Sequence, residues 1–529
     1  YASTISTLTE GSTQGHYTIQ KVNETQTYAD FMVNINKRID DFTVVVNAGT
    51  SLSDNSSDLL GYGGPIRDTG VPNVFNVFDL DNAKKRATQE GSEEMTQSIF
   101  ASAERGWKRM LCLTLTGRND WASQLKGSNP TSFFYPSVGL SAVISEMVTL
   151  PKAIDYLKVR GSFSSVGTPY PRFLVQPTYS YDPTKQDWNA KTHYPIGKLK
   201  PERTDSWEIG VDGTFFKDFK VSGSFYYANT YNQTFDPKIT VSSGYSTLYV
   251  QTGYVRNLGV EGLLSYGHTW RDFGWNCNFT FSWNKNKIVE LVKDYVHPET
   301  GEIVNKDRLE LKGLGYTKFI LKEGGALGGL YTNADFIRDD KGYIQIDKNG
   351  DVAKTDNLPD IKLGSVFPKA NLAWNNSFSY KGIYAGFQLS ARLGGIVYSA
   401  TQAALDQYGV SEASARDRGG VLVNGRSWVN AQQYYEIVAT SSGLPQYYTY
   451  SATNLRLQEA HIGYTIPRKW LGNICDINVS VVGRNLWMIY CKAPFDPEAI
   501  ATTSNFYQGI DYFMMPSTRN FGFNVKINF

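Results

Sequence analysis

At 529 residues and 59.2 kDa the chain can hold several ordinary domains or one large sheet-based body. Its formal charge of +2, from 52 Lys and Arg against 50 Asp and Glu, excludes a strong field that would draw nucleic acid. Aromatics at 14%, charged residues at only 19% and 48 glycines exclude a disordered chain and suit an all-β protein rich in turns.

Taken in chain order, YASTISTLTE (1–10) is neither a signal peptide nor a capped helix. No apolar run anywhere reaches the length of a membrane helix. From residue 28 onward apolar and polar residues alternate repeatedly, the mark of a strand with two unlike faces. In WNCNFTFSWN, Trp275, Cys277, Phe279, Phe281 and Trp283 fall on one face, and Asn276, Asn278, Thr280, Ser282 and Asn284 on the other. SWEIGVDGTF and YAGFQLSARL repeat the pattern.

The alternation predicts fifteen strands, near 28–39, 42–54, 94–107, 109–121, 132–146, 157–167, 204–218, 219–233, 257–272, 275–289, 368–380, 384–395, 454–467, 475–488 and 517–529. Most are ten to fifteen residues long, against about five or six in soluble sheets. Short links (IDD, FKDF, DFG, YKGI, PRKWLGNI) alternate with long segments at 55–93, 168–203, 234–256, 290–367, 396–453 and 489–516. Long strands, short turns at one end and long loops at the other predict a transmembrane antiparallel β-barrel, apolar toward lipid and polar toward a wet lumen. A soluble sandwich is the competing fold, since its strands also alternate.

Bacterial single-chain barrels have an even number of strands, and an open edge is not tolerated in hydrocarbon. Fifteen strands therefore lead to the expectation that residues 1–529 are the carboxyl-terminal portion of a larger barrel, with 1–27 the end of an outer loop. The final strand, NFGFNVKINF (520–529), sets Phe521, Phe523, Val525, Ile527 and Phe529 toward lipid and reads as the closing strand.

Specific words then carry a resemblance. LCLTLTGRNDW (111–121), FFYPSVGLSAVISE (133–146), LKVRGSFSSVG (157–167), LKPERTDSWEIGVDGTFF (199–216) and VRNLGVEGLLSY (255–266) resemble the SusC/RagA family of TonB-dependent outer-membrane transporters. So do YIQIDKNGDVAKTDNLPDIKLGSVFPKANLAWNNSFSYKG (343–382), LRLQEAHIGYTIP (455–467), GRNLWMIYCKAPFDPEA (483–499) and PSTRNFGFNVKINF (516–529). The resemblance implies a barrel of 22 strands around an amino-terminal plug, neither the plug nor the first seven or so strands being in this sequence. It also implies a lid lipoprotein of the SusD kind, energy delivered through TonB, dimers of transporter–lipoprotein units, a bacterial outer-membrane location and import of oligosaccharides or oligopeptides. No cofactor is implied.

Among candidate sites, the resemblance implies that Arg118, Asp120, Glu208, Asn257 and Glu261 fall on inward or loop-base positions. They either grip a plug and line a route, or fix strand register by bonding across the wall; the second reading is favoured. Two aromatic clusters are the candidates for contact with substrate or lid: Trp428, Tyr434, Tyr435, Tyr447, Tyr448 and Tyr450, and Tyr170, Phe173, Tyr179, Tyr181 and Trp188. Flat amphipathic rings suit sugar faces, peptides or a docked protein, and equally a membrane-boundary girdle or loop packing.

Asp347, Asn349 and Asp351 alternate as in a calcium loop, but Val352 stands where an EF-hand needs Gly and Leu358 where it needs Glu, so a surface turn is the favoured reading. GGALGGLY (324–331) lacks the Lys and the strand–helix setting of a phosphate loop. The five histidines have no metal or catalytic spacing. Cys112, Cys277, Cys475 and Cys491 lack CxxC spacing, and Cys475 and Cys491 bracket one predicted strand, placing them roughly 50 Å apart and out of bridging range. No catalytic constellation emerges. Nutrient import is the leading function, with a structural or adhesive barrel and a soluble carbohydrate-binding protein as alternatives of other classes.

Overall fold

The computed structural model describes residues 14–68, 74–128, 130–170, 174, 180–182, 187–189, 200–235, 250–251, 253–296, 303–502 and 508–529. Among them, fifteen strands form one antiparallel sheet in which every strand pairs only with its neighbours in sequence. These are β1 (His16–Ile39), β2 (Phe42–Pro65), β3 (Arg86–Trp107), β4 (Leu111–Ala122), β5 (Ser132–Val143), β6 (Ile154–Thr168), β7 (Glu202–Phe215) and β8 (Phe219–Tyr231). They continue with β9 (Tyr254–Trp270), β10 (Phe273–Glu290), β11 (Ala370–Tyr380), β12 (Ile383–Leu393), β13 (Asn454–Ile466), β14 (Asp476–Cys491) and β15 (Asn520–Asn528). β1 and β15 are the two edges.

All fifteen predicted strands are present, but three are longer by eight residues or more than the alternation indicated. β1 begins at His16 rather than near 28, β2 runs to Pro65 rather than 54, and β3 starts at Arg86 rather than 94. About half of the predicted loop 55–93 and part of 1–27 is thus strand, the true link being 66–85. The central stretches of these extensions, NETQT (23–27) and SDNSSD (53–58), are polar on both faces, so they carry no alternation to read. They are held by the unbroken register from Ile39↔Phe42 to His16↔Pro65. At about 3.3 Å per residue, 24 residues reach far past the nine to eleven that cross a bilayer.

Short hairpins close one end of the sheet. Lys381 and Gly382, between Tyr380 and Ile383, both take positive φ (46° and 90°), the type I′ geometry that matches strand twist. The register makes the two faces explicit. Val211, Phe281, Leu372, Ala391 and Leu455 lie on one face; Ser164, Ser206, Ala228, Asn257 and Asn286 lie on the other.

The large side chains on the apolar face are open: Phe521 is 75% exposed, and Trp207, Ile209, Ile462 and Phe523 are similarly bare. The buried core lies elsewhere, in the long links at the opposite end, where Phe319, Leu321, Leu330, Leu291, Val366 and Leu444 are almost wholly enclosed. The described residues of segments 290–367 and 396–453, read from sequence as loops, are folded. Arg308–Lys312, Lys318–Lys322, Gly329–Thr332 and Ile361–Ser365 make a four-stranded sheet. Ile396–Ser399 joins Thr449–Ser451 antiparallel and Ile510–Asp511 parallel, tying the last two long links together. Among the described residues no helix is long and apolar enough to cross a membrane, which says nothing of strands.

Candidate functional site

The long links form a cap over one end of the sheet, and most of the predicted aromatic residues meet there. Three helices frame it: α1 (Ala400–Gln407), α2 (Glu412–Arg416) and α3 (Ala431–Val438). Ser399 caps α1 by accepting from the Gln402 N–H at 3.0 Å, and its hydroxyl donates to Asp511 Oδ2 at 2.5 Å. Asn430 caps α3 through the Gln433 N–H.

Two buried phenols anchor these helices. Tyr448 donates to Asp406 Oδ2 at 3.0 Å, while Gln402 holds the other carboxylate oxygen at 3.0 Å. Tyr435 on α3 donates to Asp417 Oδ2 at 2.8 Å, just beyond α2. Burial, reinforced by the neighbouring carboxylate, pushes both phenols well above the usual range. Burial alone pushes Tyr398 up to about 12. For Tyr434, burial with the nearby Tyr447 and Asp417 has the same result, about 12.

Tyr434 and Tyr447 flank Phe336, at centroid distances of 6.3 and 5.3 Å, and Arg338 reaches over Phe336 to the Tyr447 hydroxyl at 3.4 Å. Gln446 donates to Asp335 Oδ1 at 2.8 Å. Beside this cluster a polar cavity of about 590 Å³ opens between α1 and α3, lined by Asp406, Tyr408, Arg418, Asn430, Gln432, Tyr435 and Glu436. The exposed Tyr408 ring, carboxylates, amides and a guanidinium on one rim can hold a polar, flat-faced ligand.

The sequence-predicted aromatics therefore divide. Tyr435 and Tyr448 are buried anchors, Tyr434 and Tyr447 belong to the Phe336 cluster, and Tyr450 packs edge-on against Phe495 at 5.6 Å. Trp428 stands 70% exposed on the hairpin of Val421–Val423 and Ser427–Val429. In the second cluster Tyr170 is buried in the cap core, and Trp188, across from Tyr181 in a short hairpin, is exposed. Phe173 and Tyr179 lie outside the described residues.

On the polar face of the sheet the predicted residues take part in cross-strand networks. Arg118 donates to Asp120 Oδ1 and to Ser98 Oγ, both at 2.7 Å, and Tyr135 donates to the other Asp120 oxygen. Arg160 bridges Glu208 at 3.1 Å and Asp212 at 3.0 Å. Asn257 accepts from Asn286, whose own oxygen accepts the Leu327 N–H at 2.9 Å and so links wall to cap. Glu261 lines a cavity of about 410 Å³ with Arg160, Ser224 and Ser282. In the Asp347 turn, Asp347 Oδ1 accepts from the backbone N–H groups of Asn349 and Asp351 at 2.8 and 3.0 Å, the geometry of an Asx turn.

A further junction was not singled out from sequence. Arg456, 5% exposed at the outer end of β13, forks onto Asp496 at 2.7 and 3.1 Å and reaches Glu498 at 3.3 Å, pinning the 492–519 link to the wall. Burial alone would raise the Asp496 carboxyl, but the Arg456 hydrogen bonds and charge outweigh it and hold it below the usual carboxylate range. Asp406, Asp417 and Phe336 were missed as well. The S-x-x-Q spacing of Ser399 and Gln402 is a capping signal that could have placed α1. The four cysteines are free.

A family model described as TonB dependent receptor-like, beta-barrel matches residues 2–486. The chain belongs to this family. Its barrels are outer-membrane proteins. TonB-dependent receptor P3 of Formosa agariphila is 25% identical over 468 residues, 81% of this chain and 45% of that protein. TonB-dependent receptor SusC of Bacteroides thetaiotaomicron is 22% identical over 427 residues, 74% of this chain and 40% of that one. Among solved structures, the RagAB peptide transporter superposes with a TM-score of 0.75 at 16% identity, over 97% of this chain and 56% of that chain. This receptor chain thus spans about half the length of the proteins it matches.

Proposed function

We propose that the chain is the carboxyl-terminal part of an outer-membrane importer that takes up large nutrients with energy delivered through TonB. The observation that carries the reading is one sheet with two unlike faces and a folded, ligand-sized cap at one end, in a chain of the TonB-dependent receptor family. In an all-antiparallel meander of fifteen strands, the first and last run the same way and cannot close antiparallel. An odd number of further strands, seven for a barrel of 22, together with a plug, completes the wall. Intact mass measurement of the native polypeptide tests this: a mature product ending the barrel at fifteen strands overturns it.

The cap faces outside and receives the solute beneath a lid lipoprotein of the SusD kind, such units pairing as dimers. Oligosaccharides are the favoured solutes, because exposed rings such as Trp428 and Tyr408 suit hydroxyl-rich faces, and Tyr408 stands beside the carboxylates and amides of the cavity. Work is done by transport, with no bond made or broken by this chain. Growth of a deletion strain on defined glycans and on defined peptides tests the substrate. Loss on glycans alone supports the reading. Loss on peptides alone replaces it with peptide import, the activity named for RagAB. Unimpaired growth on both points to a structural or adhesive barrel.

A further inference from the structure

The polar face and the cap use most of the charged side chains, but a group of cations lies on the opposite, apolar face. The register across β7 to β10 places Ile209, Phe225, Val260 and Trp283 side by side. Two residues nearer the cap, the next row is Trp207, Tyr227, Leu258 and Lys285; the row after it is Asp205, Asn229, Arg256 and Lys287. Rows on one face are about 7 Å apart and strands about 4.8 Å, so Arg256, Lys285 and Lys287 form one tight triangle. The surface thus passes from apolar to aromatic to cationic within three rows.

Asp205, the carboxylate in these rows, is taken by Arg203 at 2.8 Å. Among the described residues Arg256, Lys285 and Lys287 have no carboxylate partner, and both lysines are exposed. Arg256 is held in place: its Nε donates to Asn229 Oδ1 at 3.1 Å, and its guanidinium lies over the Tyr227 ring at 5.0 Å. A single lysine at a membrane boundary merely extends its ammonium into the headgroups. Three cations in adjacent rows, one of them fixed, repel one another unless an anion sits among them.

We propose that this patch binds the phosphate of an outer-leaflet lipid headgroup. Arg256, Lys285 and Lys287 donate to the phosphate oxygens, and Trp207 and Tyr227 lie at the boundary between headgroup and acyl chains. The inference rests on the reading that the apolar face meets the outer membrane. Continuity with that face selects a lipid phosphate over a free one.

The test uses the full-length native protein in phosphatidylcholine nanodiscs doped with lipid A, or with phosphatase-treated lipid A, and counts retained lipid by native mass spectrometry. The parent retains lipid A in preference to the dephosphorylated form, and added inorganic phosphate does not displace it. Each interfacial lysine contributes roughly fivefold, so K285Q/K287Q retains lipid A about 25-fold more weakly. K285R/K287R restores retention, and Lys381→Gln, in a turn at the far end of the sheet, leaves it unchanged. Equal retention of both lipids by the parent needs no variant to fold and overturns the proposal. So does undiminished retention by K285Q/K287Q, or displacement by inorganic phosphate. A parent that does not enter the discs overturns the membrane reading itself.

Discussion

The wall and the cap place the same residue types in opposite surroundings. In the wall Phe521, Phe523 and Ile462 are bare, and order comes from continuous backbone pairing between sequence neighbours. In the cap Phe319, Leu321 and Leu330 are enclosed, and order comes from a packed core with side-chain anchors such as Tyr448–Asp406. The wall is thus built to be solvated by something apolar, whereas the cap is folded as a water-soluble domain is. Stability of the two should therefore respond to different perturbations.

Phe319→Ala should open the cap core at a cost of about 3–5 kcal/mol, while Phe521→Ala, on an exposed face, should cost far less. Limited proteolysis of the cap, set beside heat-modifiable mobility of the barrel, separates the two; equal effects on both would erase the distinction. Arg456→Ala strands Asp496 at the junction and should cost about 3–5 kcal/mol, whereas the double change R456M/D496L should recover much of it. The readout is protection of the 492–519 link in hydrogen exchange. Tyr448→Phe leaves a buried Asp406 oxygen unpaired and should lower cap stability by about 1–3 kcal/mol with the wall unaffected.

Titration offers a milder probe. Phenols raised to about 12, as in Tyr398 and Tyr434, contribute stability that is full below the ordinary phenol pKa of about 10 and lost as pH rises through 12. Asp496, with its carboxyl depressed, contributes above the ordinary value of about 3.9 and stops contributing as pH falls through its lowered one. Tyrosinate absorbance against cap proteolysis should show loosening between about pH 10 and 12. The smallest stability effect is expected for Trp428→Ala, within about 0.5 kcal/mol because the ring is exposed. Its effect should fall on uptake instead, measured by growth on the imported solute; unchanged uptake would remove Trp428 from the contact surface.

The same contrast explains what could be read from sequence. Wall strands announce themselves because each residue faces either an apolar or a polar phase, so period two survives in WNCNFTFSWN and NFGFNVKINF. Where β1 and β2 run past that boundary both faces are polar, and the signal disappears although the pairing continues. The cap gave no period because its strands are two to five residues long and its helices five to eight. Its tyrosines were visible as a cluster, but their division into anchors and exposed rings depends on Asp406 and Asp417, distant in sequence from Tyr448 and Tyr435. Arg456 and Asp496 stood within quoted motifs, yet their fork spans forty residues.

Strict pairing between sequence neighbours has a consequence for the protein once it is cleaved. A protease that cuts the exposed tip near Lys348–Gly350 breaks the chain between β10 and β11, but not the eleven register pairs from Phe273↔Tyr380 to Trp283↔Ala370. The two fragments remain zipped along the wall. A chain nicked there should therefore stay together as two pieces held along the sheet, its cap opened but its wall still paired.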